Sequence, residues 1–232
     1  MTTTLFAAKV PRRLHVVVHA KDDGRGIFDA GVAIGAGARC LALIDQYCSI
    51  EEVQWIAAAV RRRIPRREDV QITVNHLMGT PPLWLDDLNC DSWVDVLSVR
   101  TDSVQPVGEY TTFGGMAFKY QYDPQEVVER HLRDYAADPH PRLVVTTSGS
   151  ATGVPPSTQK IDWFRSILPE DARLAIASGM TVDNLPVFLP LATDFFVGTA
   201  LEDHNLRVDR DKVREMVDLI RTYNESLGVT HE

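Results

Sequence analysis

Apolar residues fall along this chain in two kinds of run. Short stretches rich in Val, Ile and Leu read as buried strands at residues 14–18, 40–44, 70–74, 93–99, 116–122, 143–147, 174–177 and 194–197. Between most of them the apolar spacing lengthens to a helical period, at 27–35, 51–63, 124–137, 157–168, 182–191 and 209–227. Several of these carry start signals. Ser157, Thr181 and Asp209 suit N-cap positions, where a side-chain oxygen accepts from free helical N–H groups, and Pro124 suits a first helical turn. Strands separated by single helices imply right-handed βαβ units and a parallel sheet, and eight such strands imply closure. The predicted fold is therefore α/β, a single (β/α)8 TIM barrel occupying 1–232 as one domain. The middle departs from the pattern: 81–89 reads as a short helix at most, and 102–115 shows almost no helical period. The fourth βα unit is expected to be degenerate, a loop lying over the barrel mouth.

Alternation within strands predicts which side chains face inward. Over 116–122, Met116, Phe118, Tyr120 and Tyr122 share a face suited to the helical shell. Ala117, Lys119 and Gln121 would then line the barrel. Over 70–75 the same reasoning turns Thr73 and Asn75 inward, and over 93–100 Ser98 and Arg100 share a face. Barrel enzymes build their sites at the C-terminal strand ends, and here those ends carry His19, Asp45, Asn75 with His76, Arg100, Asp102, Lys119 and Ser148. Each has a structural alternative. Asp45 could cap a helix, and either histidine could be satisfied by a backbone carbonyl. A buried Lys119 needs a partner, because an unpaired buried cation is costly. As catalytic groups, Asp45 is the candidate general base, with Lys119 and Arg100 stabilising developing negative charge. Asn75 would orient a hydroxyl or carbonyl, and His19 joins them at the rim.

Two strand ends have a distinct chemistry. Residues 176–181 (Ile-Ala-Ser-Gly-Met-Thr) and 195–200 (Phe-Phe-Val-Gly-Thr-Ala) each run from a strand into a small residue and a glycine ahead of a helix. Glycine lets the backbone approach a ligand and present bare N–H groups. After strands seven and eight of a barrel, such groups commonly bind phosphate. Ser178, Gly179, Gly198 and Thr199 are the predicted phosphate contacts; the plainer alternative is that both glycines only make tight turns. A third glycine loop, 148–153 followed by Pro155 and Pro156, lacks the lysine and spacing of a nucleotide P-loop. Its Ser148, Ser150 and Thr152 could contact an anion or a sugar.

Composition narrows the function classes. The chain of 232 residues has a formal net charge of −8, which argues against non-specific nucleic-acid binding or attraction to an anionic membrane. No apolar run approaches the roughly 20 residues of a membrane helix. The apolar patch near the start has no preceding positive charge, unlike a secretory signal. Cys40, Cys48 and Cys90 are too scattered for a disulfide framework or a CxxC metal site. Arg61, Arg62, Arg63, Arg66 and Arg67 read as cations at a helix C-terminus rather than an anion patch, with Glu68 and Asp69 following at once. The expectation is a cytoplasmic protein that uses no cofactor and binds a small phosphorylated molecule. Asp45, His76 and Asp102 lack a specific metal-ligand spacing, so no metal is assigned. Whether the protein is a homo-oligomer is left open.

With these residues in view, the chain resembles the BtpA family. The resemblance is carried by residues 73–77 (Thr-Val-Asn-His-Leu), Phe118 with Lys119, residues 146–153 with Pro155 and Pro156, residues 177–179 with Asn184, residues 196–201, and Val208, Asp209 and Arg214. The segments around 146–156, 177–184 and 196–201 are the specific ones, and the N-terminal third matches loosely. Leu43, Ile44 and Asp45 replace the valine–glutamate–asparagine type of ending associated with the family's second strand, and Arg100 departs from its usual polar pattern. The resemblance implies a barrel and a cytoplasmic or peripheral location. The family is named for a role in photosystem assembly, and its members are described as predicted barrel enzymes. The phosphate end is also similar to that of the phosphoribosylanthranilate isomerases, a likeness of fold alone. Three functions follow as expectations. The first is an enzyme of phosphorylated sugars or nucleotide-like metabolites, working by isomerase, lyase or glycosyl-type chemistry. The second is a Schiff-base aldolase through Lys119. The third is a non-catalytic assembly factor that keeps a phosphate pocket.

Overall fold

The computed structural model describes residues 10–19, 22–64, 69–77, 90–95, 109–119 and 121–229. Eight parallel strands close into a barrel in sequence order: β1 (Arg13–His19), β2 (Cys40–Ile44), β3 (Gln71–Asn75), β4 (Ser92–Asp95), β5 (Thr111–Gly115), β6 (Leu143–Thr147), β7 (Leu174–Ile176) and β8 (Asp194–Val197). β8 returns to pair with β1 through Asp194 opposite Arg13 and Val197 opposite Val16. Outside lie α1 (Asp23–Gly35), α2 (Ile50–Arg63), α3 (Gln125–Ala137), α4 (Thr158–Ile167), α5 (Leu185–Phe188) and α6 (Arg210–Ser226). The predicted TIM barrel is the observed fold. Residues 81–89 and the 96–108 part of the fourth unit, including Arg100 and Asp102, lie outside the described residues.

The helix starts follow local chemistry. Ser157 accepts from Lys160 N, and Asp209 from the N–H groups of Asp211 and Lys212, as caps should. Ser49 and Glu52 form a reciprocal capping box at α2. Pro124 sits at the N-cap of α3, one position before its first turn. α5 is shorter than the 182–191 pattern suggests. Thr181 caps the turn ahead of it instead, its Oγ1 accepting from Asn184 N at 3.3 Å while Asn184 Oδ1 accepts from Thr181 N at 2.9 Å. Arg61 is a structural cation: it donates to Val70 O and to Asp91 Oδ2, each at 2.7 Å. No helix among the described residues is long and apolar enough to cross a membrane.

The fifth strand corrects the sequence reading. It runs over Thr111–Gly115 rather than 116–122. Two glycines with no side chains disguise the true strand, and the Met-Ala-Phe-Lys run that follows imitates alternation. Ala117 takes φ +48°, a left-handed conformation that ends the extended chain. Consequently Phe118 does not face the helical shell. It joins Ala42, Val94, Phe113, Val144, Ala175 and Phe196 in the apolar cluster inside the barrel, while Met116 belongs to the outer core.

At the N-terminal end the barrel interior is polar. Asp194, fully buried, accepts from Arg173 Nη2 at 2.6 Å, from His15 Nε2 at 3.0 Å and from Thr193 Oγ1 at 2.7 Å. Burial alone would raise its pKa, but the charge of Arg173 and the hydrogen bonds from His15 and Arg173 outweigh that and hold the carboxyl well below the usual range. Burial pushes the His15 pKa down against the pull of Asp194, and the ring stacks on Phe196 at 4.3 Å between centroids. Replacing Asp194 by Ala strands Arg173 and should lower unfolding free energy by about 3–5 kcal/mol. Because the folded pKa is depressed, the stabilisation is present above the unfolded value of about 4 and fades as pH falls below it. Urea unfolding at pH 7 and pH 3 should therefore show the gap between wild type and variant narrowing at the lower pH. A constant gap would contradict this account.

Candidate active site

The strand ends opposite this polar floor enclose a cavity of about 630 Å3 at the barrel mouth, a volume suited to a small ligand. Its floor is apolar, from Val17, Ala42, Ile44, Val94 and Phe196. Parity explains this, since these side chains share the inward face of their strands. The rim is polar. Asn75 ends β3 and lines the cavity, as do His19, Lys119, Thr152, Ser178, Gly179, Gly198 and Thr199. Eight of the predicted site residues thus meet at one mouth. Lys119 reaches it from the turn after β5 rather than from a strand. Its backbone N donates to Ser148 Oγ at 2.9 Å, and its Nζ lies 5.4 Å from the Phe118 ring centroid.

Other predicted residues lie elsewhere. Asp45 keeps only 7% of its side chain exposed and lines neither this cavity nor the one beside it. Its Oδ1 accepts from Leu77 N at 2.9 Å and its Oδ2 is bonded by His76 Nδ1, so both oxygens hold the turn after β3. The pair does unite two of the three residues considered for a metal; Asp102 is outside the described residues. Ser148 and Ser150 line an adjoining cavity of about 490 Å3, whose wall shares Phe118 and Lys119 with the mouth.

The glycine loops owe their shape to close approaches. A Cβ on Gly179 would lie 2.1 Å from Pro155 N, and its φ of +68° already disfavours a side chain. A Cβ on Gly149 would lie 2.0 Å from Val154 O. The loop after β6 therefore folds down onto the loop after β7. Ser178 Oγ donating to Ala151 O at 3.0 Å secures the contact, and Asn184 Nδ2 donating to Gly179 O at 2.9 Å braces the β7 loop itself. After β8, Gly198 leads into a short 3-10 turn, Thr199–Leu201. Thr199 and Ala200 open that turn, where N–H groups have no partner within the turn.

His19 occupies the same corner. A Cβ on Gly198 would lie 2.9 Å from His19 Cε1 and 3.6 Å from Nε2, so that edge of the imidazole rests on the glycine. The other nitrogen, Nδ1, is 2.8 Å from Glu202 Oε1. With Glu202 ionised, Nδ1 carries the proton and Nε2 is left for exchange with a ligand. Carboxylate, imidazole and open nitrogen form the orienting arrangement of a general acid–base. Sequence reasoning named His19 but missed Glu202. The two residues are 183 positions apart and meet only because β8 closes against β1. It also missed Lys160, whose Nζ donates to Ala117 O at 2.6 Å and Ser148 O at 2.7 Å. One signal was present there: Lys160 falls in the first turn of a helix, where the macrodipole disfavours a cation.

No protein-family model and no curated protein sequence matches the chain. Solved structures do. A native KDPGal structure aligns with a TM-score of 0.63 at 14% identity, over 91% of this chain and 96% of that one. Phosphoribosyl anthranilate isomerase from Thermus thermophilus aligns at 0.62 and 15%, over 93% and 99%. Tryptophan synthase subunit alpha from Legionella pneumophila str. Paris aligns at 0.64 and 11%, over 91% and 93%. At such identities the likeness is one of fold, and the resemblance to the BtpA family rests on its quoted segments alone.

The close approach at Gly179 can be measured against Gly153, which also has a positive φ but open space around its α carbon. Gly153→Ala should cost about 1 kcal/mol for the backbone conformation alone. Gly179→Ala adds the overlap with Pro155 and should cost a further 1–3 kcal/mol or so in urea unfolding. Equal costs would show that the loops do not pack as described.

Proposed function

We propose that the protein is an enzyme acting on a small phosphorylated metabolite by proton-transfer chemistry of the isomerase or lyase type. The observation that carries this reading is the position of His19. Its imidazole, oriented by Glu202, lies against Gly198, the glycine of a loop that shares the mouth cavity with Ser178 and Gly179. In this reading the phosphate sits between the loops after β7 and β8. It accepts from the N–H groups of Gly179, Thr199 and Ala200 and from the hydroxyl of Thr199. That choice is supported by the hydrogen bonding at Thr181, whose N–H is already taken by Asn184. His19 Nε2 then takes or delivers a proton at the carbon skeleton nearest the phosphate. Lys119 and Asn75, on the same cavity wall, stabilise negative charge that develops on a carbonyl or hydroxyl oxygen.

Asp45, engaged at both oxygens, is a positioning residue for the β3 end in this reading rather than the base. The BtpA-like segments belong to the same proposal, because residues 148–153, 177–179 and 196–200 all contribute to the lining of the two cavities. The solved neighbours named for phosphoribosyl and tryptophan-pathway enzymes support a barrel of this kind and leave the substrate to be identified by experiment.

Gly198→Asp places a carboxylate in the phosphate corner and against His19. Calorimetric titration with inorganic phosphate and a panel of sugar phosphates should show binding to wild type and none to the variant. Undiminished binding by Gly198→Asp would refute the assignment. Once a turned-over substrate is found in that panel, Lys119→Met and His19→Gln should each lower kcat by about 10²–10³-fold, the scale of losing one transition-state interaction. Wild-type turnover in the His19→Gln variant would remove the acid–base role.

A further inference from the structure

The cavity beside the mouth is lined, Lys119 apart, by residues that the proposed chemistry does not use. It is lined by Ser148, Ser150 and Ser157 and by two lysines, Lys119 and Lys160, and among the described residues none of its lining is acidic. Lys160 is the unusual member. An ammonium has three N–H donors, and the structure satisfies two of them with the carbonyls of Ala117 and Ser148. Among the described residues no carboxylate pairs with it, and burial alone pushes its pKa down to about 8. The cation also stands in the first turn of the ten-residue helix α4, whose cap Ser157 lines the cavity too. The first-turn N–H groups and the macrodipole add positive potential there. Such an arrangement is costly on its own, since a half-buried cation and a helix N-terminus repel each other. An oxyanion would satisfy both at once.

We infer that this second cavity is an oxyanion subsite, taking a second phosphate or a carboxylate of the same ligand whose first phosphate lies on the glycine loops. The inference rests on the function proposed above, and the two cavities adjoin across Phe118 and Lys119. The ligand class is therefore doubly anionic: a bisphosphate, or a phosphorylated acid. Lys160 supplies a charge-assisted N–H, the hydroxyls of Ser150 and Ser157 complete the shell, and the two carbonyls fix the ammonium, leaving its third donor without a partner among the described residues.

The test uses the intact protein and a series of α,ω-alkanediol bisphosphates, two to six carbons long, beside their monophosphates. Calorimetry on wild type should find one bisphosphate binding one-to-one and at least tenfold more tightly than its monophosphate. Lys160→Gln should lose that advantage while keeping monophosphate affinity. A second measurement avoids the variant altogether. Acetylation of Lys160 by acetic anhydride, followed by peptide mass spectrometry, should have a midpoint near pH 8 in the free protein. The bound bisphosphate should slow labelling at pH 8 about tenfold, and the monophosphate should leave it unchanged. If every bisphosphate binds only as its monophosphate does, the subsite is overturned and the phosphate assignment stands. If neither class binds, both fall. Carboxylalkyl phosphates run as a parallel series distinguish the second anion: a tighter fit for them than for the bisphosphates assigns a carboxylate.

Discussion

A carboxylate enclosed in the floor of the barrel governs the rest of the structure. Asp194 begins β8, the strand that must pair on one side with β7 and on the other with β1 for the sheet to close. An ionised carboxylate there is tolerable only if the partners arrive with the strands. Arg173 precedes β7 and His15 belongs to β1, so the same contacts that stabilise the charge also set the two strands beside β8. Thr193 adds a hydroxyl from the connecting turn. Above this floor the aromatic rings of His15, Phe113 and Phe196 fill the interior, with Phe113 and Phe196 edge-on at 4.8 Å. Seven-eight-one is therefore a rigid seam, and its upper ends are where His19, the Ser178–Gly179 loop and the Gly198 loop emerge.

The mouth is assembled by loops that fold onto one another more than by side chains. Gly149 and Gly179 admit the Val154–Pro155 backbone, and this brings the loop after β6 over the ends of β6 and β7. Lys160 reinforces the neighbouring edge, gripping the carbonyls of Ala117 and Ser148 at the ends of β5 and β6. Ala117 is held in a left-handed conformation that a non-glycine residue adopts at some cost. The carbonyl it presents is met by both Lys160 and, at 3.4 Å, Thr147 Oγ1. The turn that carries Phe118 and Lys119 to the mouth thus depends on tertiary contacts from β6 and α4.

That dependence explains what could be read from the sequence. The strands at residues 40–44, 143–147 and 194–197 were legible to the residue, because short, mostly apolar runs buried on both faces leave a direct imprint. The glycine loops after β7 and β8 were legible for the same local reason: a strand, a small residue and a glycine occur in order. The fifth strand was not, because Gly114 and Gly115 carry no pattern and the aromatic run beyond them imitates one. Phe118 was accordingly assigned to the wrong face. Glu202 and Lys160 were missed for a different reason. Each acts through a partner distant in the chain: β8 closing on β1 brings Glu202 to His19, and α4 packing beside β5 and β6 brings Lys160 to the Ala117 carbonyl. Asp45 shows the converse: a carboxylate at a strand end looks like a base until its two acceptors are found occupied by Leu77 and His76.

One corner of the rim brings two glycine loops and the Glu202-oriented His19 to a common cavity. Amide chemical-shift mapping tests it most directly, since the contacts invoked are backbone N–H groups. Titrating isotopically labelled protein with a phosphorylated ligand should move the amides of Gly179, Gly198, Thr199 and Ala200 together, with one saturation curve, and the His19 ring resonances with them. Shifts confined to the Arg61–Arg63 end of α2, with those four amides unmoved, would contradict it.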